Sequence, residues 1–303
     1  MTNLIYFGSP AFSAKILESI LNLKCDVVAV VTTPDKSLGR KQVLTPSPVS
    51  QLASKHNLPV FKPERLDDTN LTHLKLLKPN IFLVVSYGKI IPKSWLTTPT
   101  IGTFNLHFSL LPKYRGALCV SEPIKNQDRQ TGVTLMAMDE GMDTGPIISQ
   151  EKVSIDINDN CETLTNKLTQ AGIKLLAAQL PQITTSYHKL PIFPQNNTLA
   201  SYTPTTKTRN RQSAFIPWSE IKKALDGKGG SATHALIRSL NPDPGAWTKI
   251  PVGAHHDAPS TEIEIKIIKT SLKRHPGLDI ELVQLPGKTP ISWQQFHSRA
   301  NLS

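Results

Sequence analysis

The sequence predicts an α/β protein with a doubly wound, mainly parallel sheet, followed by a smaller β-rich domain. Three observations predict it. Over residues 1–190, short apolar runs such as 26–31 and 81–85 alternate with stretches of helical periodicity. A stretch at 191–212 rich in proline and polar residues has the composition of a linker. Beyond it, residues 262–268 alternate charged and apolar side chains, which is typical of a half-buried strand.

The first 190 residues contain successive strand and helix patterns. We expect strands over 3–7, 26–31, 81–85, 102–107 and 133–138. We expect helices over 11–23, 49–56, 69–77 and 160–180, the last of them ended by Pro181. This alternation favours a parallel sheet with right-handed crossovers. In the second domain, 213–303, short helices over 221–225 and 232–240 and strands over 262–268 and 279–284 are expected; these local patterns support only a small α+β or β domain.

Composition limits the class of protein. A chain of 303 residues with 39% hydrophobic and 19% charged residues is typical of a soluble protein of two domains. No apolar run reaches the roughly 18 residues of a membrane span, and no basic segment precedes the apolar start, so we expect no membrane segment or signal peptide. The three cysteines and nine histidines show neither a disulfide nor a metal spacing, which favours a cytoplasmic, metal-free protein with His255–His256 solvated.

The chain is basic, with a formal net charge of +11. Residues 201–303 hold 14 Lys and Arg against 8 Asp and Glu, so charge density is higher in the last third. Such a surface favours a polyanionic partner, because phosphate contacts release counterions. Ordinary solubility is the alternative explanation, since many basic proteins bind no nucleic acid.

Three polar side chains are candidates for catalysis. Asn105 and His107 end the strand over 102–107, where alternate residues face the same side. Asp143 lies in a loop after the strand over 133–138. An amide can stabilise an oxyanion, an imidazole can move a proton, and a carboxylate can orient that imidazole or accept the proton. No covalent nucleophile stands among them, which suits acyl transfer to an amine of the substrate, although an isolated Asn-x-His pair is more often structural.

Two loops add to this interpretation. Residues 34–48 are long for a strand-to-helix link and carry Lys36, Arg40 and Lys41 around a glycine, which suits phosphate contact, although a mobile solvated loop is an alternative. The turn over 8–10 lacks both the G-x-G-x-x-G pattern and a P-loop, so it does not predict a nucleotide site.

These residues belong to longer motifs that resemble a known family. The motifs are Asn-x-His-x-Ser-Leu-Leu-Pro-x-Tyr-Arg-Gly-Ala from Asn105, Met-Asp-Thr-Gly-Pro-Ile from Met142, Gly-Ser-Pro-Ala-Phe from Gly8, Val-Val-Ser-Tyr-Gly from Val84, and Asn-Pro-x-Pro-Gly-Ala-Trp from Asn241. Together they resemble the methionyl-tRNA formyltransferase family, within the folate-dependent formyltransferase superfamily. The resemblance covers nearly the whole chain.

The resemblance implies a Rossmann-like formyltransferase domain, an OB-like β-barrel over 213–303, and a monomer that formylates initiator methionyl-tRNA. The formyl donor would be 10-formyltetrahydrofolate, and no metal would be needed. Asn105, His107 and Asp143 would be catalytic. The folate would contact Ser86, Tyr87, Gly88, Lys89, Ser109, Leu110, Leu111, Pro112, Asp139, Glu140 and Gly141. The tRNA would contact Lys36, Arg40, Lys41, Lys207, Arg209 and Arg211.

The chain departs from the family pattern in two places. Leu118-Cys119-Val120 stands where the family usually has Ala-Pro-Ile, which affects the neighbouring acceptor pocket. A turn at 273–277 replaces a longer strand pair, which bears on the completeness of the barrel.

Two alternatives share most of these features. One is a formyltransferase for a small amine, such as an amino sugar nucleotide or glycinamide ribonucleotide, which would not need the basic residues. The other is a non-catalytic tRNA- or folate-binding protein, against which the intact catalytic set argues.

Overall fold

The computed structural model describes residues 2–23, 25–39, 41–252, 261–273 and 277–299. The chain divides into two compact units. The first comprises Met1–Ala117, Thr131–Ser154 and Thr165–Thr203, and the second comprises Leu118–Gln130, Ile155–Leu164 and Pro204–Ser303. The stretch that we expected to be a linker, 191–212, is therefore divided between the two units.

The first unit is built on one large sheet. Its strands are β1 (Leu4–Gly8), β2 (Val27–Val31), β3 (Lys36–Leu38), β4 (Val43–Thr45), β5 (Val60–Phe61), β6 (Ile81–Val85), β7 (Gly102–His107), β8 (Gln130–Ala137) and β9 (Ile147–Ser154). Seven of them form the order β5-β2-β1-β6-β7-β8-β9. Strands β5, β2, β1, β6 and β7 are parallel, and β8 is antiparallel to β7. The predicted doubly wound, mainly parallel sheet is confirmed.

Nine α-helices occur in the described parts of the chain, six of them before residue 190. They are α1 (Ala11–Asn22), α2 (Pro48–Lys55), α3 (Asp68–Lys75), α4 (Lys93–Leu96), α5 (Ser121–Lys125), α6 (Cys161–Ser186), α7 (Trp218–Leu225), α8 (Gly230–Leu240) and α9 (Trp293–Arg299). Ser47 caps α2 by accepting a hydrogen bond from the Ser50 backbone N–H, and Pro48 occupies the first turn, where its missing N–H costs nothing.

Strands β1 and β6 lie in the core of the first unit, which is why their side chains are mostly apolar. Every residue of both strands is buried. Phe7 contacts Phe82, Tyr87 and Trp95, with ring centroids 4.9, 5.5 and 6.3 Å away. Burying one such ring stabilises the fold by about 1.5–3 kcal/mol.

The prediction that Pro181 ends the long helix was wrong. Helix α6 continues to Ser186 with Pro181 inside it. Proline removes one backbone hydrogen bond but does not forbid the helical conformation of the residues that follow. Leu176, Leu180 and Ile183 are buried at helical spacing across the proline, so packing holds the helix on both sides of it.

The segment over 34–48 is not a simple loop. β3 and β4 form a two-stranded antiparallel ribbon that pairs Lys36 with Thr45. Gly39 lies at its turn with φ +72°, a conformation that favours glycine. Val43 and Leu44 are exposed on the ribbon. Arg40 lies outside the described residues.

The second unit contains a four-stranded antiparallel sheet in the order β10 (Trp247–Val252), β11 (Thr261–Leu272), β12 (Leu278–Gln284) and β13 (Ile291–Ser292). β11 and β12 contain the two predicted strands, and α7 and α8 contain the two predicted helices. Their apolar faces meet in a core that includes Ile221, Ile237, Ile265, Ile280 and Phe296.

Some predictions about the second unit remain open. Residues 274–276 of the expected turn and the His255–His256 pair lie outside the described residues. Within the described range the four strands pair only in the order given, so closure into an OB-like barrel stays a prediction. Among the helices that the structure describes, none has the length and apolarity that a membrane span requires.

Candidate functional site

The end of β7 brings the predicted catalytic residues together with Asp143. Asn105 and His107 are buried near the carboxyl end of this strand, and Asp143 follows β8 on a loop. The Asn105 Nδ2 atom donates to Asp143 Oδ1 over 3.3 Å. The His107 Nδ1 atom lies 3.5 Å from Asp143 Oδ2. Two residues apart on one strand, Asn105 and His107 therefore face the same carboxylate, as the alternation of strand side chains predicts.

The second nitrogen of His107 fixes the proton arrangement of the ring. Nε2 lies 3.0 Å from the backbone carbonyl oxygen of Tyr114. A carbonyl can only accept a hydrogen bond, so Nε2 carries a proton. The other nitrogen, Nδ1, faces Asp143. A proton bound to Nδ1 would lie between the imidazole and the carboxylate. This arrangement can receive or deliver one proton at Nδ1.

Backbone groups hold the Asp143 carboxylate in place. The Gly116 N–H donates to Asp143 Oδ2 over 2.7 Å. Asp143 itself has a left-handed conformation, with φ +54°, which costs a non-glycine residue some stability. Gly145, two residues on, has no room for a Cβ atom, which would lie 1.9 Å from the Ala137 carbonyl oxygen. The loop is thus tightly packed against the end of β8.

The turn after β7 is held by hydrogen bonds from Ser109, which was a predicted folate contact, and from Thr134 and Gln150, which the sequence analysis did not single out. The Ser109 hydroxyl donates to the Lys113 carbonyl, so it closes the turn. Thr134 on β8 donates to the Ser109 carbonyl and accepts from the Leu111 N–H. Gln150 on β9 donates to the Leu111 carbonyl and to Thr134. The turn that carries four of the predicted folate contacts, Ser109 to Pro112, is therefore rigid.

The other predicted folate contacts lie after β6 and β8. Ser86 and Gly88 are exposed and have positive φ values of 53° and 84°. Burial raises the pKa of Tyr87 to about 12, so its hydroxyl stays protonated, and the ring belongs to the core. The Lys89 ammonium group donates to the carbonyls of Pro63 and Glu64, which uses two of its three N–H donors.

The loop after β8 organises itself through Asp139. Its carboxylate accepts from the Gly141 N–H and from the Thr144 hydroxyl, at 3.1 and 2.6 Å. Glu140 forms an exposed ion pair with Lys93. Such exposed pairs contribute little to stability, so Glu140 can exchange this partner for a ligand.

A cavity of about 400 Å³ opens at the same edge of the sheet. It is lined by residues that follow β1, β2 and β6, among them Ser9, Thr33 and Ser86, and by Lys36 of the ribbon. The chain order changes direction between β1 and β6, and open α/β sheets bind ligands at such switch points. The volume of the cavity is in the range for small-molecule sites. Asn105, His107 and Asp143 are not part of its lining; they lie at the end of β7, next to β6 in the sheet.

The predicted tRNA contacts differ in their surroundings. Lys36 and Lys41 are exposed on the ribbon, and Lys207 is exposed in the second unit. Arg209 donates to the Asp243 carbonyl, and Arg211 pairs with Glu264. The Arg211 guanidinium also lies 4.6 Å from the centre of the Trp247 ring. These two arginines are therefore engaged within the second unit.

Sequence reasoning missed several residues of the site. Gly116 contributes a backbone N–H, which no side-chain pattern can signal. Arg115 appeared only as part of a motif, and its burial to 1% exposure could not be read from the sequence. Gln195 lies in the stretch interpreted as a linker, yet it contacts the backbone on either side of Thr144. No group of histidine, cysteine or acidic residues suited to a metal ion occurs in the described part of the chain.

Comparisons with known proteins place the chain in a family. The family model described as "Formyl transferase" matches residues 2–180. The methionyl-tRNA formyltransferase of Methylacidiphilum infernorum is 36% identical over 288 residues, which cover 94% of this chain and 84% of that protein.

Two solved structures show the same fold. A methionyl-tRNA formyltransferase from Clostridium thermocellum matches with a TM-score of 0.56 and 16% identity, over 94% of this chain and 99% of that one. An N-formyltransferase from Helicobacter canadensis, solved with folinic acid and dTDP-3-aminofucose, matches with a TM-score of 0.58 and 24% identity over the same shares. On the family model and the sequence identity together, the chain belongs to the formyl transferase family and, within it, to the methionyl-tRNA formyltransferases.

Proposed function

We propose that this protein transfers the formyl group of 10-formyltetrahydrofolate to the α-amine of methionyl initiator tRNA. The observation that carries the proposal is the cluster of Asn105, His107 and Asp143 at the end of β7. It combines an oxyanion donor with a proton-transfer pair and contains no nucleophile of its own. An acyl transfer in which the acceptor amine attacks directly needs only these groups.

Each residue has a separate task in this reaction. The bound folate supplies an electrophilic formyl carbon, to which the amine forms the new C–N bond. Asn105 donates an amide hydrogen to the oxygen that becomes negative; an amide has two N–H groups, and Asp143 engages one of them. The proton lost by the amine passes to the His107 and Asp143 pair, and the folate nitrogen takes up a proton as its bond to carbon breaks.

The folate contacts proposed from the family remain compatible with the structure. Exposed backbone at Ser86 and Gly88, the braced turn from Ser109 to Pro112, and the loop from Asp139 to Gly141 all follow strands of one sheet. Flat heterocycles suit such sites, because backbone groups read the ring edges while apolar walls cover the faces. We assign the pterin to the first and the last of these segments, and we propose that the folate also contacts the turn from Ser109 to Pro112.

The acceptor is proposed to meet the basic ribbon. Lys36 and Lys41 are exposed there, and Arg40, which lies outside the described residues, adjoins them in sequence. In the second unit Lys207 is exposed, whereas Arg209 and Arg211 would have to exchange internal partners for phosphates. The net charge of +11 supports a polyanionic acceptor over a small amine. Because the product is used to initiate translation, we propose that the protein acts in the cytoplasm. We also propose that it acts as a monomer, which gel filtration would test.

The test measures transfer of labelled formyl from 10-formyltetrahydrofolate to three acceptors. These are methionyl initiator tRNA, glycinamide ribonucleotide and an amino sugar nucleotide. We expect transfer to the tRNA alone. Transfer to either small amine but not to the tRNA would replace the proposed substrate, and transfer to none of the three would refute the proposed activity.

A further inference from the structure

A buried arginine lies beside the site, and none of its hydrogen-bond partners in the described parts of the chain is a carboxylate. Arg115 is 1% exposed. Its guanidinium donates to Gln195 Oε1 from both Nε and Nη2, to the Asn197 side-chain oxygen, and to the Tyr202 hydroxyl. Burying a charge is costly unless its hydrogen bonds are made. Here neutral oxygens from the segment 195–202 satisfy them.

These bonds fix the orientation of one amide group. With its oxygen held by the guanidinium, Gln195 directs its Nε2 atom to two carbonyl oxygens, those of Asp143 and Gly145, each 2.8 Å away. The reversed amide would place N–H groups against the guanidinium and an oxygen against two carbonyls. Only one orientation is therefore possible, and all four hydrogen-bonding positions of the amide are used.

The same segment also holds the partner of His107. The Ser201 hydroxyl oxygen accepts from the Tyr114 N–H, and the Ser201 carbonyl accepts from the Arg115 N–H. Tyr114 in turn provides the carbonyl that binds His107 Nε2. One short segment thus fixes the backbone next to the imidazole and the backbone next to the carboxylate.

We propose that Gln195 is a positioning residue that sets the Asp143 carboxylate against His107, and that Arg115 fixes the Gln195 amide for this task. The inference rests on the proposed function of the Asn105, His107 and Asp143 cluster. Gln195 acts through the carbonyls on either side of Thr144. Because Asp143 has a left-handed backbone, a change in its peptide plane would turn the carboxylate away from His107.

The test replaces the two donors of Gln195 while keeping its shape. Gln195→Glu retains an oxygen for Arg115 but presents a second oxygen to two carbonyls, and Gln195→Met removes the polar group without adding charge. We expect both to lower kcat by about ten- to a hundredfold, since a misplacement of about 1 Å can cost about a hundredfold. The KM for the folate donor should stay within about twofold, because ground-state binding is not affected. Gln182→Glu is the matched control and should behave as wild type, because Gln182 is exposed on α6 and the one hydrogen bond of its side chain to the described residues goes to the Ala178 carbonyl.

A double-mutant cycle separates positioning from general damage to the fold. In an Asp143→Ala background, the loss caused by Gln195→Met should largely disappear, because residues that act through one group are not additive. A loss of full size in that background, or unchanged kcat in both Gln195 variants, would overturn the inference. If wild type transfers formyl to no acceptor, the proposed function fails instead. The ring ¹⁵N signals of His107 then still decide the positioning role: they should move in Gln195→Met and not in Gln182→Glu, and unmoved signals overturn it.

Discussion

Replacing Asp143 with asparagine keeps the size of the side chain and removes its charge. The oxygen of the new amide can still accept from the Gly116 N–H, so we expect the fold to survive. Two things are lost: the hydrogen bond that Asp143 Oδ1 accepts from Asn105, and the attraction between a carboxylate and the imidazolium that forms when His107 takes up a proton. The two groups are 3.5 Å apart and only 15% and 6% exposed.

The size of the effect can be worked from that distance. Two unit charges at this separation interact by about 5 kcal/mol at an effective dielectric constant of about 20. The amide dipole recovers part of this, so we take about 2.7 kcal/mol as the net loss, which corresponds to about a hundredfold in rate. The KM for the folate should change little, because the charge forms only as the reaction proceeds.

Steady-state formyl transfer at saturating donor, from pH 6 to 9, is the suitable assay, and thermal unfolding of both proteins controls for folding. A melting temperature within a few degrees of wild type together with a rate within about threefold would refute the reasoning, since catalysis would then not depend on the charge of Asp143.

Four further predictions concern single residues, three of them on described parts of the chain and the last on Arg40, whose role is inferred from the sequence. Asn105→Ala and His107→Ala should each lower kcat by about a hundredfold with the fold retained, measured in the same assay, and near-normal turnover would remove that residue from the mechanism. Cys119→Ala should remain active, because the amine attacks directly; complete loss in a folded variant would indicate a covalent thioester route. Burial lowers the pKa of His234, so the neutral imidazole is favoured in the folded protein. Its contribution to the free energy of unfolding is therefore fully present above about pH 6.5 and is lost as the pH falls through the lowered pKa. Urea unfolding at pH 7.5 and 5.5 should show a lower free energy of unfolding at the lower pH, and His234→Gln should reduce that difference. An equal difference in the two proteins would exclude His234 as its source. Added salt should raise the KM for tRNA steeply and the KM for folate weakly, and Arg40→Ala should make the KM for tRNA less dependent on salt. If that dependence is unchanged, the ribbon does not contact the tRNA.

The sheet and one end of the site were predictable because their signals are local. An unbroken apolar run such as 81–85 suits only a strand buried on both faces, and the alternation over 102–107 placed Asn105 and His107 on one side. Asp143 was identified because it follows an apolar strand and lies between two glycines. Each of these inferences used fewer than about ten neighbouring residues, which is the range over which periodicity carries information.

What could not be predicted depends on contacts between distant parts of the chain. Helix α6 passes Pro181 because leucine and isoleucine side chains on both sides of it are buried, and burial is set by the fold. Strand β10 was not among the predicted strands; it contains Pro251, which disfavours the interior of a sheet but is tolerated in an edge strand such as this one. Gln195 contacts Asp143 across 52 positions, and nothing near it in sequence distinguishes it from a linker glutamine.

The Gln195 contact has a consequence for the order in which a ribosome delivers the chain. All seven strands of the large sheet have been synthesised once Ser154 is added, whereas Gln195 and Ser201 arrive only after the whole of α6. A chain that ends at Ser154 thus contains Asn105, His107 and Asp143 but lacks the segment that bonds to the Asp143 loop. Any attempt to excise or transplant the formyl-transferring part of this protein should therefore cut after Thr203 rather than at the end of the last strand.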